Sequence, residues 1–142
     1  MSANAGPRRL IPYAGDTIRV LGESEGMAFG ELTVPAHFAG PPPHIHHGFD
    51  EALYVLAGAL TTVRDRGEPE PVEVGGLILA ARGIRHTFAN PHDEPARVLG
   101  VWSPAGAMAF MAEIGAALPA TGLPDPERLA AIYRRHDSEI VL

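Results

Sequence analysis

Glycine and proline punctuate this chain so often that only short elements fit between them: 16 glycines and 14 prolines fall in 142 residues, without a strict period. Breakers at that density favour strands joined by tight turns over long helices. The segments between them agree. DTIRVL and GMAFGELTV carry β-branched and alternating apolar residues, as half-buried strands do. EALYVLAGALTTVRD reads as two strands broken at Gly58, and PVEV, LILA, IRHTFAN and ARVLGVW follow. About eight short strands over residues 16–103 predict an all-β sandwich or barrel.

Beyond Pro104 the period changes. Met108, Met111, Ile114, Gly115 and Leu118 lie near one face of a helix, and a proline-rich break, PATGLPDP, follows. Asp125 stands where an N-cap belongs, with Pro126 at the first helical position, and Leu129, Ile132, Tyr133 and His136 recur at helical spacing. One or two short C-terminal α-helices packed on the strands are therefore expected over residues 104–142, with the methionines and Tyr133 in the core. The tail SEIVL adds an edge strand or packs against a partner. Residues 1–15 read as a flexible N-terminal arm, since MSANAGPRRL lacks the apolar region of a signal peptide.

A net charge of −6 argues against nucleic acid and membrane surfaces as partners, because both require a concentrated positive field. The absence of cysteine removes disulfides, thiolate zinc sites and cysteine nucleophiles together. The most apolar stretch, residues 105–118, is too short to span a bilayer and is interrupted by Glu113. A cytoplasmic protein is the expectation.

Four of the seven histidines crowd into one segment, His37, His44, His46 and His47, beside Pro41, Pro42 and Pro43. His44 and His46 are two apart, so on an extended backbone both imidazoles leave the same face. His47 then points away, and His37 is a candidate for the pocket wall. Glu51 opens the next strand, and a turn through HGFD returns its carboxylate to the two imidazoles. His86 sits in a later strand in phase with Ile84, Phe88 and Asn90. Three neutral imidazoles and a carboxylate form a borderline donor set suited to divalent first-row metals. Of the rest, His92 and His136 read as solvated, and Asn90 as satisfying backbone groups at a strand end.

These residues resemble a known family. GPPPHIHHGFDEALYVLAG is similar to the first cupin motif, with His44, His46, Glu51 and Gly58 at the family's spacing; Gly40 lies three residues before the first histidine instead of five. GGLILAARGIRHTFAN resembles the second motif, with Gly75, Gly83, His86 and Asn90 in register and Ala81 where proline is usual. The resemblance implies a cupin jelly-roll β-barrel or sandwich, one divalent transition metal ion (Fe, Ni, Mn, Cu or Zn) on His44, His46, Glu51 and His86, and a homodimer. An open coordination position distinguishes a catalytic from a structural site. Two adjacent ones would let a small substrate with neighbouring oxygens chelate. Met27, Phe29, Leu53, Val55, Phe88, Val101 and Trp102 are the expected apolar walls, which favours a hydrophobic, aromatic or dicarbonyl substrate. A quercetinase-like dioxygenase is the leading reading, with Glu51 able to move a proton. A zinc-dependent isomerase or polyketide cyclase and a non-enzymatic binding protein are the alternatives. Metal loss at mildly acid pH is expected, since each imidazole competes with a proton.

Overall fold

The computed structural model describes residues 9–142. Two antiparallel sheets pack around one apolar core, and the strands do not close into a continuous barrel. The first sheet has the order β1 (Leu10–Tyr13), β2 (Asp16–Glu23), β3 (Ala28–Val34), β10 (Ala96–Ser103), β5 (Asp50–Ala57) and β8 (Leu77–Ala80). The second runs β11 (Ser138–Ile140), β4 (His44–His46), β9 (His86–Ala89), β6 (Ala59–Arg64) and β7 (Glu70–Glu73). Gly58, at φ 78°, breaks β5 from β6 and sends them into different sheets. Chain neighbours are thereby shared between the layers, so one site can draw side chains from both.

One expectation changes here. Leu10–Tyr13, placed in the flexible arm, is a strand paired with β2, because Ile11 and Tyr13 alternate into the core. Residues 1–8 of the arm lie outside the described residues. The tail forms the edge strand β11 against β4.

Inside the first sheet, Gly30 and Gly100 face each other as register partners on β3 and β10. A Cβ on Gly100 would run into the ring of Trp102, and one on Gly30 would come within 2.7 Å of Ile18 and 3.2 Å of Trp102. The two missing side chains make the slot in which the fully buried indole lies. This also explains the phase of β3: Ala28 and Gly30 point inward beside the indole, and Phe29 must point out.

Two helices cover the remaining side. In α1 (Ala107–Ala117), apolar residues are buried nearly all round. Gly115 lets it approach the Pro12 carbonyl, and its own carbonyl accepts from the Ala14 amide at 3.1 Å. In α2 (Pro126–Arg135), the Asp125 side chain accepts from the Glu127 and Arg128 amides, which satisfies two of the free donors of the first turn. Leu129, Ile132 and Tyr133 face inward. His136, expected in solvent, bonds Glu113 Oε2 at 2.8 Å and ties α2 to α1. Among the described residues no helix is long and apolar enough to cross a membrane.

Replacing Gly100 with alanine should destabilise the fold by about 1–3 kcal/mol through overpacking against Trp102. Urea unfolding followed by the tryptophan fluorescence checks this, and an unchanged midpoint would remove the slot argument.

Candidate metal centre

A three-residue strand places two of the histidines. In β4 the burial alternates, so His44 and His46 are buried while Ile45 between them is partly exposed. His86 opens β9 and is the direct register partner of His44. The three imidazoles therefore come from adjacent strands of one sheet, with one ligand nitrogen of each lying within 4.8 Å of the others. Glu51 reaches them from β5 in the opposite sheet, its Oε1 3.9 Å from His86 Nε2.

The other ring nitrogens settle the tautomers. His44 Nδ1 lies 2.7 Å from the Pro42 carbonyl and His86 Nδ1 3.2 Å from the Ile84 carbonyl; a carbonyl only accepts, so both Nδ1 atoms carry the proton. His46 Nδ1 lies 2.7 Å from Ser138 Oγ, whose hydroxyl donates to the His136 carbonyl at 3.1 Å. Ser138 Oγ thus sits between the His46 ring and the His136 carbonyl. The His44 and His86 Nε2 atoms are then bare lone pairs, and His46 Nε2 lies 3.1 Å from that of His44. His86 Nε2 is buried with no hydrogen-bond partner. Bare lone pairs at that range repel unless a cation sits among them, and Nδ1–H anchoring of this kind is how metal-bound imidazoles are usually held. The residues fit a divalent ion.

Burial keeps the His44 and His46 rings neutral. Desolvation, with the neighbouring imidazoles, holds the His44 pKa well below the ordinary value and takes that of His46 down to about 3. Glu51 is pushed the other way by desolvation, against the opposing pull of His86 and the Trp102 hydrogen bond. Trp102 Nε1 donates to Glu51 Oε2 at 2.7 Å, and this contact orients the carboxylate. Desolvation and the Glu51 charge also hold the Tyr13 and Tyr133 phenols above their ordinary range.

The residues around these groups enclose a small apolar cavity. Leu53 and Phe88 line it as expected, and Phe110, Met111 and Tyr133 close it from the helices. Its free central space is about 20 Å³, enough for an ion or one water.

A family model described as a cupin domain matches residues 30–102, just over half of the chain. The chain belongs to the cupin family. Solved structures agree on the fold. KdgF from Halomonas sp. is 18% identical at a TM-score of 0.59, with 70% of this chain and 86% of that one covered. An RmlC-like cupin from Shewanella frigidimarina is 17% identical at 0.59, covering 69% and 85%. A Cupin 2 conserved barrel domain protein from Salinispora arenicola is 21% identical at 0.55, covering 71% and 86%. No curated protein matches the sequence.

Several expected wall residues of this cupin lie elsewhere. Met27 and Phe29 are on the outer side, 44% and 36% exposed, because Trp102 fills the interior beside β3. Val101 pairs with Phe29 and is only partly buried. Val55 is fully buried but lies outside the cavity wall, and Trp102 touches Glu51 from behind. His37 has φ 58° and turns to the surface, where it pairs with Asp93 at 2.9 Å. Ile84 is exposed and contributes its carbonyl to His86 Nδ1. His47 points away to Glu139, as the alternation predicts. Asn90 serves backbone groups: its side-chain nitrogen donates to the Pro35 and Glu94 carbonyls and its oxygen accepts from the His92 amide. Ser138, Tyr13 and the cavity-facing role of Tyr133 were not legible in any motif, since nothing in their spacing ties them to the histidines.

The neutral rings revise the acid expectation. Inside the fold, His44 and His46 refuse protons that the unfolded chain accepts near pH 6.5, so folded stability should fall as pH drops below that value. The loss continues for His46 towards pH 3. Each group contributes about 1.4 kcal/mol per pH unit over this window. Urea unfolding of the metal-free protein at pH 7 and pH 5 reads the slope. Equal stability at both would contradict the burial of neutral imidazoles. By the same reasoning, metal should stay bound near pH 5 as long as the fold persists.

Proposed function

We propose that this cupin is a metal-dependent enzyme acting on a small hydrophobic, aromatic or dicarbonyl substrate with neighbouring oxygens, and that it is a dioxygenase. The observation that carries the reading is the convergence of one ring nitrogen from each of His44, His46 and His86 beside the buried Glu51 carboxylate, at an apolar cavity that His44, His46 and Glu51 line. His44, His46, His86 and Glu51 would hold the ion, which when bound supplies Lewis acidity and, for iron, nickel, manganese or copper, access to dioxygen chemistry.

The chain's own groups supply the rest. Trp102 fixes Glu51 Oε2, and Oε1, by leaving the ion transiently, would take a proton from an acidic C–H or O–H of the substrate. Burial makes that carboxylate a stronger base than one in water. Tyr13 and Tyr133 keep their protons and offer hydroxyl donors to substrate oxygens in the same cavity. The aliphatic and aromatic walls exclude bulk water. The free space of about 20 Å³ holds an ion or one water, so binding an organic substrate requires α1 and α2 to draw back.

A second reading, a zinc-dependent isomerase or cyclase, is favoured by one observation: a carboxylate and two phenols share the cavity, and these are proton-transfer groups. Elemental analysis of the purified protein beside His86→Ala separates the two. One equivalent of iron, nickel, manganese or copper, lost in the variant and accompanied by oxygen uptake with a diketone or flavonol, supports the dioxygenase. Zinc, with no oxygen uptake after reloading with iron, moves the reading to the isomerase or cyclase. Saturable binding without turnover makes it a binding protein. No metal after reconstitution overturns the proposal. In a metal-loaded active protein, Glu51→Gln should lower turnover by roughly 10²–10⁴-fold if Oε1 moves the proton; full turnover would remove Glu51 from that role.

A further inference from the structure

We propose that Ser138, in the C-terminal strand β11, is a positioning residue of the metal centre that fixes His46 as the Nδ1–H tautomer and so presents its bare Nε2. The inference rests on the metal-centre reading above, and it adds a segment that the matched cupin residues, 30–102, do not contain.

The three histidines are not anchored alike. His44 and His86 each use the carbonyl two residues earlier in their own segment, Pro42 and Ile84. Such an anchor is local and forms with the strand itself. His46 instead uses a side chain 92 residues away. The register explains how: Ser138 is the direct partner of His46 in the β4–β11 pair, and it is buried. Its hydroxyl proton goes to the His136 carbonyl at the end of α2, so its oxygen must accept from the ring. The direction of the hydrogen bond, and with it the tautomer, is set by where α2 ends.

The tail is fastened by residues adjoining the histidines. The Val141 amide donates to the Pro43 carbonyl at 2.8 Å, and Arg85 Nε donates to the Val141 carbonyl at 2.7 Å. The His47 amide donates to the Asp137 carbonyl at 3.0 Å. Pro43, His47 and Arg85 each neighbour one of the three histidines in sequence. Displacing β11 would therefore loosen the Ser138 contact and the backbone on both sides of β4.

Three variants separate a positioning role from a packing role. Ser138→Ala removes the acceptor, while Ser138→Thr and Ser138→Val share one shape and differ by the hydroxyl. Each is titrated with cobalt(II) against a chelator, and the His46 tautomer is read in the metal-free protein by long-range proton–nitrogen NMR. Wild type should show Nδ1–H. Ala and Val should weaken cobalt binding by roughly 10–100-fold and release His46 towards Nε2–H, while Thr stays near wild type. Equal cobalt affinity for Thr and Val, or an unchanged Nδ1–H in the variants, overturns the inference even if their melting temperatures fall. If the variants do not fold, the wild-type tautomer decides, and Nε2–H overturns it. If wild type binds no metal, the metal-centre reading fails, and the metal-free tautomers still decide what Ser138 does.

Discussion

Three imidazoles and a carboxylate sit between two sheets in an otherwise apolar core, and each of their polar atoms must find a partner there. Leaving a buried polar group unpaired costs about 1–3 kcal/mol, and more for a charged one. The fold meets most of that demand itself: two carbonyls and a serine hydroxyl take the Nδ1 protons, and an indole serves one carboxylate oxygen. The Nε2 atoms alone are turned on one another, and His86 Nε2 is left without a partner. Once all four groups are held by their far sides, the near sides form a site for a cation.

This requirement reaches into the packing. The indole can stand behind Glu51 only because Gly30 and Gly100 leave it a slot, and the indole in turn decides which residues of β3 face inward. The helices answer to the same centre from the other side. Tyr133 packs on His44 with ring centroids 4.9 Å apart, and Phe110 meets the edge of His46 at 4.9 Å. Helix α2 then ends where its final carbonyl receives the Ser138 proton. The cover that dries the cavity and the strand that orients a ligand are consecutive pieces of one C-terminal segment. Motion of α1 and α2 to admit a substrate is thus coupled by chain connectivity to the anchor of His46.

The centre could be read from the sequence because its spacing is local. Two histidines on alternate residues must share a face of an extended strand, and His44, His46, Glu51 and Gly58 have the spacing of the first cupin motif. The Asp125 cap, the break at Gly58 and the Tyr133 face of α2 are local in the same sense. Wall residues were harder. Phe29 has the composition of a wall, but strand phase depends on what fills the interior, and there Trp102 from a distant strand occupies the space. His37 has the composition of a ligand, and a left-handed backbone turns it to the surface.

What the sequence determined by itself was therefore everything governed by short-range geometry: strands of period two, a capped final helix, and the pairing of His44 and His46 on one strand face. Tertiary structure alone decided which sheet carries which donor, how tightly the helices close the cavity, and that Ser138 meets His46 across 92 residues. The reason is physical. Side-chain alternation follows from backbone geometry within a few residues. A register between β4 and β11 exists only after the whole sandwich has brought the two strands together.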